Sequence, residues 1–394
     1  MSADNEPEFL AKLRNNPSDD DIVDAVRIIA DKYPRDAGIA EKLAWIIAES
    51  GKILSFDDPI VADVASTGGP TSLSTLLPQL FMRAAGAKVP KLGVSGSPVG
   101  AIDSLAQIPG YRTDLSCDRV REIVEGPAGH AHFLAGPDMA PLDGRMFQIR
   151  LKTGTVAIDT LTAGSLLSNK LAVGVKYTGL DIRVYPQGNF GTDGRNANIN
   201  KEFYSEVAKR IGISARPALT SLCQPYQPYF GRREALLALD CVFSGTRCRW
   251  LSDHVDTCRS LAMKCLPDHL RAKVANVSPD ELRWCFDQNL LAQGAKPTDF
   301  DALVDETRKG HKAIVRADHA GYCLYQVEKL SDQLIKWQKS VPNGKEQFPD
   351  PVGLVLLVEP GAWIERGTAI ATFRATKELE DEARRELDSI FNDF

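Results

Sequence analysis

Two groups of residues in this sequence have types and spacings that can do chemistry. The first is Ser66-Thr67-Gly68-Gly69-Pro70-Thr71-Ser72, which follows the apolar run Ile60–Ala65 and precedes a helical pattern reaching about Ala85. Two glycines let the backbone approach an anion closely. The hydroxyls of Ser66, Thr67 and Ser72 can donate to it, and a helix N-terminus behind the turn would add partial positive charge. Such a turn suits phosphate, pyrophosphate or a sulfate-like group. It lacks the Gly-Lys-Ser/Thr ending of a P-loop and the spacing of a dinucleotide fingerprint. An ordinary strand-to-helix turn would use the same residues. The second group is Arg150, Ser165 and Asn169. Ser165 and Asn169 are four apart and share one face of a predicted helix. An arginine fork with a hydroxyl and an amide can read the carbonyl and N–H edge of a planar heterocycle. A surface arginine and a helix-packing serine would look the same in sequence.

Other chemistries are poorly served. Cys241, Cys248, Cys258 and Cys265 are separated by six, nine and six residues, not the two to four of a zinc site. They read as free thiols in a reducing cytoplasm. His130 and His132 flank Ala131 and can share a strand face, but no histidine pair has helical i, i+4 spacing. No metal or cofactor is expected. The net charge is −5, with Lys and Arg spread along the chain, which argues against nucleic acid as a partner. No apolar run is long enough for a membrane span, and the polar start of the sequence does not resemble a secretory leader.

The 394 residues allow two or three domains. Ser18 and Asp21 open a helix whose Ile22, Val26, Ile29 and Ala30 fall on one face. A second helix carries Ile39, Leu43, Ile46 and Ile47 and is expected to stop at Gly51 as a left-handed cap. Strand, glycine turn, helix and strand over 60–94 form a βαβ unit, hence a parallel sheet. Apolar runs at 131–135, 181–185 and 216–219 suit further strands. Helical stretches fall at 118–125, 160–173, 200–211 and 232–242. Beyond about 310, strands at 313–317 and 352–358, with turn signals at 359–362 and 365–367, indicate a smaller α+β domain. The charged stretch Lys377–Arg385 reads as a solvated helix.

Taken together, these features resemble the class II nucleoside phosphorylases, the thymidine and pyrimidine-nucleoside phosphorylase family. That family carries Asp-Lys-His-Ser-Thr-Gly-Gly where this chain reads Asp63-Val64-Ala65-Ser66-Thr67-Gly68-Gly69. Its Thr-Ser-Leu at the helix start is similar to Thr71-Ser72-Leu73, two residues early. Ile108-Pro109-Gly110-Tyr111 resembles its Ile-Pro-Gly-Phe. Ala140–Arg145 through Arg150, Thr155-Val156, and Leu161–Gly174 resemble its base-binding stretch. Leu219-Thr220 to Gln224-Pro225 resembles another of its loops. Asp350–Leu356 through Gly361, Gly367 and Ala369–Thr372 resembles its C-terminal domain. The anthranilate phosphoribosyltransferase group is a more distant likeness, without that last domain.

The resemblance implies an α/β fold. It has a small all-helical lobe (1–60 and 142–173) for base binding and dimerisation. A larger α/β lobe (61–141 and 174–305) has a mainly parallel sheet and holds phosphate, and a C-terminal α+β domain spans 306–394. It implies that Arg150 and Ser165 contact a pyrimidine, that Asn169 stands where the family has a base-contacting lysine, and that Asp143 lies at the hinge between lobes. Arg150 and Asp143 are the catalytic candidates. Ser66, Thr67, Gly68, Gly69, Ser72 and Ser95 are the phosphate-binding candidates. The implied partners are a pyrimidine nucleoside, phosphate and a second copy of the chain, in the cytoplasm. The departures are Val64 and Ala65 in place of the phosphate lysine and its histidine neighbour, and a shortened Ser97-Pro98-Val99-Gly100-Ala101 loop. Lys88, Lys91 and Arg195 are candidates to restore the missing charge. The same departures keep open a hydrolase, a transferase with another acceptor, or a binding protein without turnover.

Overall fold

Short apolar strands alternating with amphipathic helices leave two sheet faces to cover, and both are covered here. The structure, a computed structural model, describes residues 6–66, 71–93, 100–184, 193–221, 225–341 and 348–392. Thr67, Gly68 and Gly69 of the glycine turn, Ser95 and Ser97-Pro98-Val99 lie outside the described residues. The strands β1 (Ala62–Ala65), β2 (Val89–Gly93), β3 (His130–Leu134), β4 (Tyr177–Val184) and β5 (Ser214–Ser221) all run parallel. Their order is β3-β2-β1-β4-β5, with β2 and β1 joined through the Val61–Lys88 bridge. Past that bridge no ladder joins β1 to β2 among the described residues, so the sheet splits there. The chain steps from β1 to β2 on one side and returns to β4 on the other, the switch point where open α/β sheets bind ligands.

Strand alternation sorts the side chains. Val61, Ala65, Leu180 and Ile182 pack with the helices Asp19–Lys32, Ala37–Glu49, Pro141–Thr153, Asp159–Ala172 and Gly194–Arg210. Ala62 and Val64 pack the other way, with Leu77–Ala84, Arg232–Phe243, Arg249–Cys265, Pro279–Ala292 and Pro297–Lys309. The helix over Asp19–Lys32 has the expected capping box, Ser18 and Asp21 each bonding the other's backbone N–H. Gly51 is not a left-handed cap, because the helix before it ends at Ser50 with right-handed angles. A Cβ at Gly51 would lie 2.6 Å from the Asp138 carbonyl oxygen, so close passage of 138–141 is what a side chain there would block. The helix after the glycine turn begins only at Leu77. Its N-terminus is therefore several residues from the turn, which corrects the expectation that it adds charge directly behind Ser72.

The C-terminal part is an antiparallel sheet of order β6-β9-β11-β7, with β6 (Tyr229–Phe230), β7 (Ala313–Arg316), β9 (Val352–Leu356) and β11 (Ala369–Ala375). A separate ribbon pairs β8 (Gly321–Tyr322) with β10 (Trp363–Ile364). Strand β6 comes from the chain segment of the α/β lobe yet pairs with β9. Arg374 fastens the same junction, donating to Glu234 Oε1 at 3.0 Å and Asp350 Oδ2 at 2.6 Å. The terminal helix, Glu380–Asn392, is longer than Lys377–Arg385 and not wholly solvated, since Ala383, Leu387, Ile390 and Phe391 are buried. Among the described residues no helix is long and apolar enough to cross a membrane.

Candidate active site

The helix Pro141–Thr153 starts from Ala140, held in the left-handed region with φ 46°, at the crossing from sheet to helical lobe. It presents Asp143 to the helix Asp159–Ala172. Ser165 Oγ donates to Asp143 Oδ1 at 2.5 Å and Asn169 Nδ2 donates to Asp143 Oδ2 at 2.9 Å. Burial raises the Asp143 pKa, and the two donors only partly offset it. With its NH2 on a carboxylate, Asn169 has its Oδ1 buried without a hydrogen-bond partner among the described residues. Arg150, two turns along from Asp143, is 2% exposed. Its Nη2 donates to Val156 O at 2.6 Å and Thr162 Oγ1 at 2.9 Å, and Nη1 to Leu161 O at 3.5 Å. Burial pulls its pKa down, countered in part by Asp143. Arg150 thus spends most of its fork on Val156, Leu161 and Thr162, and Nε is left without a partner among the described residues.

The split between β1 and β2 holds a buried charge cluster. Asp63 accepts from Gln79 Nε2 at 3.1 Å, from Lys91 Nζ at 3.2 Å and from Lys170 Nζ. Lys91 also donates to Val64 O at 2.8 Å. All three charged side chains are nearly inaccessible. Burial would raise the Asp63 pKa, but Lys170 and Lys91 outweigh it and the net shift is down. Lys91 is lowered to about 8, chiefly by burial. Two ammonium groups on one carboxylate leave an excess positive charge beneath the end of β1. Lys170 directly follows Asn169, so the helix that presents Ser165 and Asn169 is fastened to the strand leading into Ser66.

At the carboxyl ends of β1 and β4 lies a third cluster. Arg183 Nη2 donates to Ser66 Oγ at 3.1 Å, Ser72 Oγ at 2.9 Å and Ser74 Oγ at 2.5 Å. Its Nε donates to Asp181 Oδ2 at 3.0 Å, which also accepts from Ser66 Oγ at 2.7 Å. Burial opposes both charges, but each outweighs it for the other, lowering the Asp181 pKa and raising that of Arg183. The guanidinium carbon stands 4.8 Å from the Tyr226 ring centroid, and Tyr226 stacks on His254 at 5.6 Å. His254 Nε2 accepts from Leu73 N–H at 2.8 Å, which fixes a neutral imidazole, and burial lowers its pKa to about 3.

Ser66 and Ser72 are therefore brought together through Arg183, and Asp143, Ser165 and Asn169 form one hydrogen-bonded network, while Arg150, on the same helix as Asp143, bonds Val156, Leu161 and Thr162 instead. Of the residues expected to restore charge, Lys91 lies in the Asp63 cluster, paired with that carboxylate and with Val64 O rather than with Ser66 or Ser72. Lys88 instead donates to Glu125 O at 3.1 Å near the start of β2, and Arg195 is exposed. Sequence reasoning missed Asp181, Arg183, Ser74, Lys170, Tyr226 and His254. An Asp and an Arg two apart in an otherwise apolar strand, 181 and 183, are the signal that marks buried charge on one sheet face. His130 and His132 are spent on structure: His130 Nε2 and His132 Nδ1 are 2.9 Å apart, and His132 Nε2 is 3.0 Å from Thr75 O. No group of three His, Cys, Asp or Glu is placed to hold a metal ion among the described residues.

No protein-family model matches the chain. It is similar to a thymidine phosphorylase of Sinorhizobium fredii, 28% identical over 374 residues that cover 89% of this chain and 82% of that protein. A thymidine phosphorylase of Rhizobium meliloti is 33% identical over 196 residues, 48% of this chain and 43% of that protein. One from Mesorhizobium japonicum is 31% identical over 234 residues, 58% and 52% of the two lengths. The chain thus matches about half the length of the latter two relatives. With the parallel sheet, the helical layer and the separate antiparallel sheet, these similarities support a likeness to the class II pyrimidine-nucleoside phosphorylases, from which the chain departs at Val64 and Ala65.

Proposed function

We propose that this chain is a pentosyltransferase that cleaves the N-glycosidic bond of a pyrimidine nucleoside with phosphate. A phosphate oxygen attacks C1′, the base leaves with the bonding electron pair and takes up a proton, and a pentose 1-phosphate results. The transition state carries positive charge on the sugar and growing negative charge on the base. Arg150, beside the Asp143–Ser165–Asn169 network, offsets the charge on the base, and the phosphate offsets that on the sugar. The single observation carrying this reading is the Lys170–Asp63 contact, which ties the helix of Ser165 and Asn169 to the strand that leads into Ser66. On this reading the helical lobe and the sheet lobe close around the nucleoside, aligning reactants and excluding water. Leu151 and Val156, 51% and 37% exposed on the helical lobe, suit its use as a dimer face.

A second reading is favoured by Val64 and Ala65. Both side chains are buried in apolar packing and give an anion nothing. An enzyme so altered can pass the sugar to water or another acceptor. Incubating the chain with uridine or thymidine, with and without phosphate, decides between them. Base release that requires phosphate supports phosphorolysis, and release regardless of phosphate supports hydrolysis. Binding without release points to a non-catalytic relative and contradicts both.

A further inference from the structure

With Val64 in the core, the anion end of the cleft must draw its positive charge from another side chain. Arg183 reaches it from β4. The guanidinium is 4% exposed and already gathers Ser66, Ser72 and Ser74, two of which belong to the turn that the sequence marks for an anion. Its Nη1 is buried with no hydrogen-bond partner among the described residues. A buried guanidinium N–H without an acceptor is costly, and the cost is recovered when an acceptor arrives. We propose that Arg183 is the anion-binding cation of this chain, and that Asp181 sets how strongly it binds. This rests on the phosphate end of the reading above.

Asp181 behaves as an internal competitor. Its Oδ2 takes Nε of Arg183 and the Ser66 hydroxyl, donors that a phosphate oxygen would otherwise use. The Arg183–Asp181 pair carries no net charge, so phosphate meets a cation already shared with a carboxylate. Phosphate binding is accordingly modest in the native chain and tightens when the charge of Asp181 is removed. A purely structural ion pair behaves differently: loss of either partner strands a buried charge and weakens the site. The two substitutions therefore shift phosphate binding in opposite directions only if Arg183 holds the anion.

The test is calorimetric titration of the full chain with inorganic phosphate, alongside titration with uracil. Arg183→Gln is expected to weaken phosphate binding about tenfold to a hundredfold. Asp181→Asn is expected to strengthen it several-fold, and both variants keep their uracil affinity. Unchanged phosphate affinity in folded Arg183→Gln, or weakened or unchanged affinity in Asp181→Asn, overturns the proposal. If Arg183→Gln does not fold, Asp181→Asn alone decides. Phosphate-dependent base release by the native chain that is indifferent to Arg183→Gln sinks this inference and leaves the phosphorylase reading intact. The expected phosphate pattern in a chain that never releases base keeps the inference and sinks that reading. A native chain that binds no phosphate at millimolar concentration sinks both.

Discussion

Asn169 puts its NH2 on Asp143 and is left with a buried carbonyl oxygen that has no partner among the described residues. An acceptor in that position suits an N–H on a base edge, whereas the lysine of the resembling family would supply a donor. Asn169→Ala is expected to weaken uracil binding about threefold to tenfold, the worth of one hydrogen bond. Calorimetry that shows no change removes Asn169 from the base site. The histidines make a different prediction. His132 is held at about 4 and His254 at about 3, both by burial, and His130 well below its ordinary 6.5. In the unfolded chain each takes a proton near that ordinary value, so at mildly acidic pH the unfolded state binds more protons. Their contribution to stability is full above about pH 6.5 and is lost as pH falls toward 4. The slope is at most ~1.4 kcal/mol per pH unit for each histidine. Urea titrations should show the decline begin there, and His132→Asn should make it shallower. A flat profile between those values would contradict neutral burial.

At the scale of elements, β1 to β5 and the capped helices were legible because period and turn chemistry agree. Ser18 with Asp21, and the apolar runs before each turn, mark their elements without tertiary help. Gly51 misled because its sequence position fits a cap while its space is set by residues 138–141, far along the chain. The helices from Arg249 to Lys309 went unassigned because they follow one another with no strand between them, even though Arg249–Cys265 lies against β1, β4 and β5. Lys170 was hidden for a related reason. It adjoins Asn169 on a helix and points elsewhere, and only packing against β1 shows its partner. Charge counting at that contact gives a prediction. Asp63→Asn strands two buried ammonium groups and is expected to cost ~3–5 kcal/mol. Lys170→Met leaves Asp63 and Lys91 balanced and should cost clearly less, though it loosens the tie between lobes. Denaturant titrations that give equal losses would contradict the excess charge assigned to the split.

For the molecule as a whole, Ser66, Ser72 and Ser74 gather on Arg183 of β4, and the helix of Ser165 and Asn169 is tied through Lys170 to Asp63 of β1, around the switch point of one sheet. Ser66 and Ser72 were readable there because hydroxyls beside glycines are a local signal. Arg183 was harder to single out, because it reaches Ser66 and Ser72 from more than a hundred residues along the chain. The antiparallel C-terminal sheet borrows β6 from the preceding segment and is fastened to it by the ion pairs of Arg374 with Glu234 and Asp350. If the proposed reaction is right, the Asp143–Ser165–Asn169 side and the Ser66–Ser72–Arg183 side serve one nucleoside and one phosphate. Phosphorus NMR of the chain with uridine and inorganic phosphate tests it most directly. A new phosphomonoester resonance growing in step with free uracil is the expected result. Uracil released with no phosphomonoester, or neither product although uracil and phosphate both bind, would contradict it.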